Sequence, residues 1–298
     1  MDWVERVLGV RQWTRGGERA PHKPLLLLYA LGHHQRHGAE PIVFSAAERS
    51  LHRLLREFGP PRRTSPGYPF HHLASDDRLW LVETDDGPGS PGPGLGTLRS
   101  SGARGRLHPE LAAALDADPA LLARLARALL EANFPPTLHE DLCQEAGLSL
   151  EGAELPAAVV SRLPPRDPAF REEVLEAYGF RCAFCDYDGL LDGVAVGLDA
   201  AHVRWRSFEG PDETANGLCL CALHHRLLDR GVLGLTGERL IAVSGGFRAT
   251  APVASLLVLN LSGRPVRDPR AGRPPVEPGH IAWHADQVFR SPARAPAA

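Results

Sequence analysis

Four residues in the C-terminal half are spaced to hold a metal. Cys182-Ala-Phe-Cys185 is a two-cysteine knuckle, and thirty-six residues beyond Cys185 comes Cys221-Ala-Leu-His224, a second pair at the same spacing. Three thiolates and one imidazole are the donor set of a closed tetrahedral zinc site, structural because no coordination position is left open. A lone CxxC is more often a redox or incidental pair, and the second knuckle is what points to zinc. Cys219, two before Cys221, would share a strand face with it, but the repeated spacing selects Cys221. Cys143 reads as a small buried apolar residue.

Between the knuckles lies His202, in the strand-like run Leu198-Asp-Ala-Ala-His-Val203. Asn216 follows fourteen residues later, then a second strand-like run, Gly217–Cys221, then a short helix over Leu223–Asp229 stopped by Gly231. This strand, loop, strand and helix around a zinc clamp resembles the ββα-metal fold of HNH endonucleases over residues 178–240. The residues of resemblance are His202, Asn216 and His225.

Phosphodiester hydrolysis needs a base to deprotonate water, and a histidine that titrates near neutrality suits that role at His202. It also needs a cation to stabilise charge on the scissile phosphate. His225 and Asp229 are four apart, on one helix face, where both can hold one divalent ion, Mg2+ or Mn2+. By the resemblance, Asn216 fixes the His202 loop through hydrogen bonds. Most HNH enzymes place a metal-binding Asp or His directly before the base, where this chain has Ala201. Asp199, two residues back on the same strand face, is the expected substitute ligand. Arg204, Trp205 and Arg206 are expected to approach phosphate, with capping of the core as the other reading of Trp205, and Arg226 and Arg230 read as solvated charges flanking the metal helix.

The surrounding chain must position these groups. At 298 residues it suits two domains better than one. A hydrophobic content of 43% with 23% charged residues is that of a globular protein. The absence of a spanning apolar stretch and of a secretory start gives an expected cytoplasmic location. A net charge of −3 does not advertise a nucleic-acid binder, and residues 1–84 carry twelve Lys/Arg against nine Asp/Glu, a weak local surplus. Lys23 is the sole lysine.

The expected fold class is α+β: a mainly helical N-terminal domain over 1–134, a connection over 135–168 with one short helix, and a zinc-bearing ββα domain with a C-terminal tail over 169–298. Residues 25–31 read as an apolar helix led by Pro24 and ended by Gly32, and Ala46–Phe58 as a second helix. Residues 62–70 read as loop and Leu79–Val82 as a strand. The Gly/Pro run 87–96 reads as a mobile insertion, Pro109–Ala132 as one long helical stretch, and Val253–Leu261 as a late strand. No internal repeat is present.

In the N-terminal half, His22-Lys23-Pro24-Leu25 and Arg63-Thr-Ser-Pro-Gly-Tyr-Pro-Phe-His-His-Leu73 resemble the sulfur-binding domain of phosphorothioate-dependent, McrA-type (type IV) restriction endonucleases, a family that fuses this domain to an HNH nuclease in the same order. The resemblance implies double-stranded phosphorothioate DNA as partner. Sulfur is larger and less hydrated than the oxygen it replaces, so an apolar recess accepts it while charging a phosphate oxygen on the order of 2–7 kcal/mol for lost hydrogen bonds. Tyr68, Pro69 and the Cβ region of His72 are the expected recess, although the family carries a small residue where His72 stands. His22, Lys23, Arg63, Thr64 and Ser65 are expected on neighbouring phosphates, and Arg104 on a base edge.

Two other readings stand beside this one. The N-terminal domain could read a methylated base instead, or the chain could be a reader that does not cut, an option the Ala201 departure keeps open. Cutting both strands would make a homodimer plausible, and no segment specifies one.

Overall fold

The computed structural model describes residues 2–15, 18–76, 78–150 and 167–296. The chain divides into two compact units, Met1–Leu163 and Pro164–Ala298. Helices and short antiparallel sheets are mixed in both. Among the described residues, no helix is long and apolar enough to cross a membrane.

The first unit is built around the helix His22–His37, whose Leu25, Leu26, Leu27, Leu28 and Leu31 are all buried. This helix does not end at Gly32, as expected, but runs on to Gly38, which takes a left-handed φ of 61°. Gly32 is instead a packing gap, since a Cβ there would run into the Ala146 carbonyl. That carbonyl ends the helix His139–Ala146, which packs on the His22–His37 and Phe44–Phe58 helices. The expected connection therefore begins with an element of the first unit, while its residues 151–166 lie outside the described ones.

The Phe44–Phe58 helix buries Phe44, Ala47, Leu51, Leu54, Leu55 and Phe58, the spacing of one helical face. A four-stranded antiparallel sheet runs in the order Ile42–Val43, Arg104–Leu107, Trp80–Thr84, Gly87–Pro88. Phe70 sits edge-on to Phe44 at 4.9 Å and to Trp80 at 5.3 Å, and the Trp80 indole donates to the Phe70 carbonyl at 3.0 Å.

Three expectations are corrected here. Residues 67–72 form a helix, Gly67–His72, rather than a loop, because Pro66 and Pro69 fall at its start, where backbone N–H groups lack helical partners anyway. Residues 87–96 are not a mobile insertion: they return through the paired strand Gly87–Pro88 and approach Gly67 so closely that a Cβ there would meet the Pro93 carbonyl. Their Ser90 hydroxyl lies 2.7 Å from His71 Nδ1, and the run leads into the helix Leu95–Ser100. The long Ala/Leu stretch is two helices, Pro109–Ala117 and Pro119–Asn133, broken where Asp118 caps the second by accepting from Ala120 N–H.

In the second unit the strands Leu198–His202 and Gly217–Cys221 pair antiparallel, His202 opposite Gly217, and the helix Ala222–Asp229 follows at once. The helix Ala169–Ala177 packs on this pair, and Gly217 is required there because a Cβ would collide with Val174. Phe170, Val174, Leu198, Ala201, Leu218, Leu220, Leu228 and Ile281 belong to one buried core. The expected late strand at 253–261 is instead the helix Pro252–Leu257 with a 3-10 turn at Leu259–Leu261, Pro252 taking the favoured first helical position. A final helix, Pro278–Gln287, buries Ile281, Trp283 and His284 in a stretch whose composition gave no helical sign.

Candidate functional site

The two knuckles meet. Cys182, Cys185, Cys221 and His224 each offer one donor atom, all within 4.8 Å of one another. Cys182 is carried by the turn after the Ala169–Ala177 helix, while Cys221 and His224 sit at the junction of the second strand and its helix. Cys182 Sγ and Cys221 Sγ lie 3.4 and 3.2 Å from His224 Nδ1. His224 Nε2 donates to the Leu257 carbonyl at 2.8 Å, which fixes the tautomer that presents Nδ1 to the cluster. Hydrogen bonds from Cys182 and Cys185 push Cys221 far down, and those with Cys182 and Cys221 push Cys185 far up. Three thiols and one imidazole gathered this closely are the donor set of a tetrahedral divalent site, so the residues fit a metal. Cys219, fully buried, lies outside the cluster, and burial raises its thiol to about 12.

The same helix carries further candidates, His225 and Asp229, with Asp199 on the neighbouring strand. His225 Nδ1 lies 3.2 Å from Asp199 Oδ2, and His225 Nε2 lies 3.3 Å from Asp229 Oδ2. Burial alone would lower the His225 pKa, but Asp229 and Asp199 together hold it above its ordinary value. The hydrogen bond with His225 in turn lowers Asp199. The two carboxylates flank opposite ring nitrogens, so the three side chains do not converge on one point as a single expected ligand set would. The other Asp229 oxygen, Oδ1, accepts from the Trp205 indole at 2.9 Å.

His202, at the end of the first strand, stacks on Phe170 with ring centroids 4.1 Å apart, and its Nε2 lies 2.6 Å from Asp212 Oδ1. Burial lowers its pKa, and Asp212 partly opposes that shift. Asn216 is fully buried and spends its whole side chain on the loop after His202. Its Oδ1 accepts from Arg204 N–H at 2.8 Å, and its Nδ2 donates to the Arg204 and Pro211 carbonyls at 2.9 and 3.0 Å. Arg204 itself is turned inward, donating to the Phe208 carbonyl at 2.8 Å. Asp212 escaped the sequence reading. Its contact crosses a ten-residue loop whose closure depends on Asn216, and only the Gly-Pro turn before it hinted at a bend.

The N-terminal candidates fall into three groups. Tyr68 is 53% exposed and stacks on exposed His72, centroids 5.8 Å apart and 15° between planes, whereas Pro69 between them is buried in the helix. Pro69 therefore stiffens the wall from behind rather than lining it. His22 and Thr64 meet at 3.3 Å, beside exposed Arg63 and half-buried Ser65. Burial lowers His22 to about 4, leaving it uncharged at neutral pH. Lys23 is nearly buried in an ion pair with Asp76, and Arg104 pairs with Asp85. Neither is the free cation expected on DNA, because a carboxylate already neutralises each.

A strand–strand–helix frame with a four-donor cluster at the junction of strand and helix is the frame of an HNH nuclease. Residues 1–151 match the family model described as ScoMcrA-like, DNA sulfur-binding domain, and residues 182–236 match one described as HNH endonuclease. The chain belongs to the ScoMcrA-like DNA sulfur-binding family, and its second unit carries an HNH endonuclease domain, the combination of a modified-DNA restriction enzyme. Among solved structures it is similar to the sulfur-binding domain of ScoMcrA complexed with phosphorothioated DNA, at 26% identity over 50% of this chain and 96% of that one, TM-score 0.42. It is similar to the type IV phosphorothioation-dependent restriction endonuclease ScoMcrA, at 23% identity over 52% of this chain but 30% of that one, TM-score 0.39. The modification-dependent restriction endonuclease TagI is similar at 23% identity, over 47% of this chain and 40% of that one, TM-score 0.32. No curated protein matches.

Proposed function

We propose that the protein binds phosphorothioate-modified double-stranded DNA through its first unit and hydrolyses phosphodiester bonds near the modification through its second, as a type IV restriction endonuclease of the cytoplasm. The observation that carries this reading is the pairing, in one chain, of the sulfur-binding family match with an HNH match whose His202, Asn216 and His225 lie on adjoining elements. Sulfur would rest against Tyr68 and the His72 ring, with Pro69 behind them limiting the entropy lost on binding. Arg63, Thr64, Ser65 and the neutral His22 would meet neighbouring phosphates. Lys23, largely buried on Asp76, would contribute by leaving that carboxylate, whereas Arg104 keeps N–H donors beyond the one it gives Asp85.

In the second unit, Cys182, Cys185, Cys221 and His224 would hold structural Zn2+. His225 Nε2 and Asp229 Oδ2 are the pair that would hold a catalytic Mg2+ or Mn2+. Asp199 would then accept the Nδ1 proton of His225, a carboxylate behind a ligand histidine. That ion supplies Lewis acidity at the scissile phosphate. His202 takes the proton of the attacking water, and Asn216 keeps the loop behind it in place. Cutting both strands would use two such centres, as in a homodimer.

Cleavage of matched duplexes, with and without one phosphorothioate and with and without divalent metal, tests the reading. Cutting is expected only when both are present. Equal cutting of unmodified DNA, or cutting of a sulfur-free methylated duplex alone, would overturn it.

A further inference from the structure

His202 has few ways to act as a base. Phe170 covers one ring face, and Nε2 is held at 2.6 Å by Asp212 Oδ1, so the free in-plane nitrogen is Nδ1. The second Asp212 oxygen, Oδ2, accepts from the Asp167 backbone N–H at 2.7 Å. Both carboxylate oxygens are thus committed, one to the ring and one to the main chain. The carboxylate reaches the ring because the loop folds back, and it folds back because Asn216 Nδ2 holds the Pro211 carbonyl at 3.0 Å, one residue before Asp212. Gly210 allows that return, since a Cβ there would strike the Arg204 carbonyl. Asn216 therefore acts on His202 through Asp212, a link that the spacing of the two residues does not reveal.

We propose that Asp212 is the positioning residue for the His202 base, accepting Nε2–H so that the Nδ1 lone pair faces the attacking water. The inference rests on the reading of His202 as that base. The water O–H bond breaks and its proton moves to Nδ1. The freed electron pair forms the new P–O bond, the bridging P–O bond breaks, and the leaving oxygen is protonated from solvent. The resulting imidazolium is stabilised by the Asp212 carboxylate, the arrangement by which a carboxylate behind a histidine sets tautomer and orientation. The charged groups acting on His202 are Asp212 and Asp229, which raise its pKa, and Arg206, which lowers it along with burial.

The test uses the full chain with Mg2+ and a phosphorothioate duplex, reading single-turnover cleavage and duplex Kd separately. Asp212→Asn leaves one carbonyl oxygen for two donors, and Asp212→Ala leaves none. Both are expected to slow cleavage about 10- to 100-fold with Kd within about twofold of wild type. In Asp212→Ala the acidic limb of the rate–pH profile should move to lower pH, because the carboxylate no longer raises His202. A purely structural contribution would slow cleavage equally at every pH. Wild-type rates in both variants, beside an inactive His202→Ala, would overturn the inference alone, whereas wild-type cleavage by His202→Ala would overturn the base reading itself. Nitrogen-15 imidazole spectra of the wild-type protein, with the His202 signal identified by its loss in His202→Ala, decide the point even if the Asp212 variants fold poorly. An Nε2–H tautomer supports the proposal, and an Nδ1–H tautomer overturns it.

Discussion

His224 and His225 are neighbours in sequence and face different surroundings from one helix. His224 points into a thiol cluster, with its far nitrogen tied to a main-chain carbonyl. His225 has a carboxylate on each nitrogen. The first environment is built from soft donors that suit zinc; the second is built from oxygen and imidazole, which suit a hard cation. A single step along the helix thus separates two histidines with different surroundings, and their perturbation should give different losses.

The largest effect is expected in the first environment. Cys182→Ser removes one of four donors, and structural zinc contributes on the order of 10–16 kcal/mol of apparent binding energy that is also folding energy. Under the proposed assignment the second unit should lose its metal and its thermal transition, while the proposed binding of modified DNA by the first unit persists. Retained zinc and an unchanged melting curve would erase the distinction between the two environments.

In the second environment the loss should be confined to rate. His202→Ala is expected to cut cleavage about 10²- to 10⁴-fold with zinc content and melting unchanged, as measured by metal analysis and calorimetry. A fall in zinc content would mean that the two environments are one structural unit.

A titration sharpens the comparison further. His284 is fully buried with its Nε2 donating to the Leu228 carbonyl, and burial lowers its pKa to about 4. A histidine held neutral in the fold but titrating near 6.5 when unfolded favours the unfolded state as protons are added. Its destabilisation should begin below pH 6.5 and be complete near pH 4, roughly 3 kcal/mol in all. His284→Gln should flatten that part of the stability–pH curve in urea titrations.

The smallest effect concerns the first unit, where Tyr68→Ala should remove about 1–2 kcal/mol from binding of modified DNA, roughly tenfold in Kd, and leave ordinary DNA unchanged. Equal gel-shift affinities of the variant and the wild type for both duplexes would remove Tyr68 from the reading surface.

The legibility of these regions differed for a physical reason. Metal sites advertise themselves because ligation demands particular side chains at the spacing that a tight turn can present, so Cys182, Cys185, Cys221 and His224 were readable from local text. His225 and Asp229 were readable because a helix repeats its face every four residues. Asp199 was named from the strand, but its place opposite the far nitrogen of His225 was not, since that depends on how strand and helix pack. Pro and Gly misled three times: Gly32 lies inside a helix rather than ending it, Pro66 and Pro69 start a helix, and residues 87–96 pack against that second helix, because both residue types fit a few definite backbone geometries as readily as loose ones. The Pro278–Gln287 helix was hidden because its stability comes from Ile281, Trp283 and His284 meeting the core rather than from propensity.

Sequence alone determined the chemistry available to this protein, its order of units, its thiol and imidazole donors and its strand–strand–helix frame, because each is written in residue type and short-range spacing. Tertiary structure decided which of those groups are free to act. Lys23 is neutralised by Asp76, His202 is oriented by Asp212 across a closed loop, and Pro69 stands behind Tyr68 rather than beside it. Such outcomes depend on which distant segments are brought within about 3 Å, the reach of a hydrogen bond. No local rule supplies that distance before the core has formed.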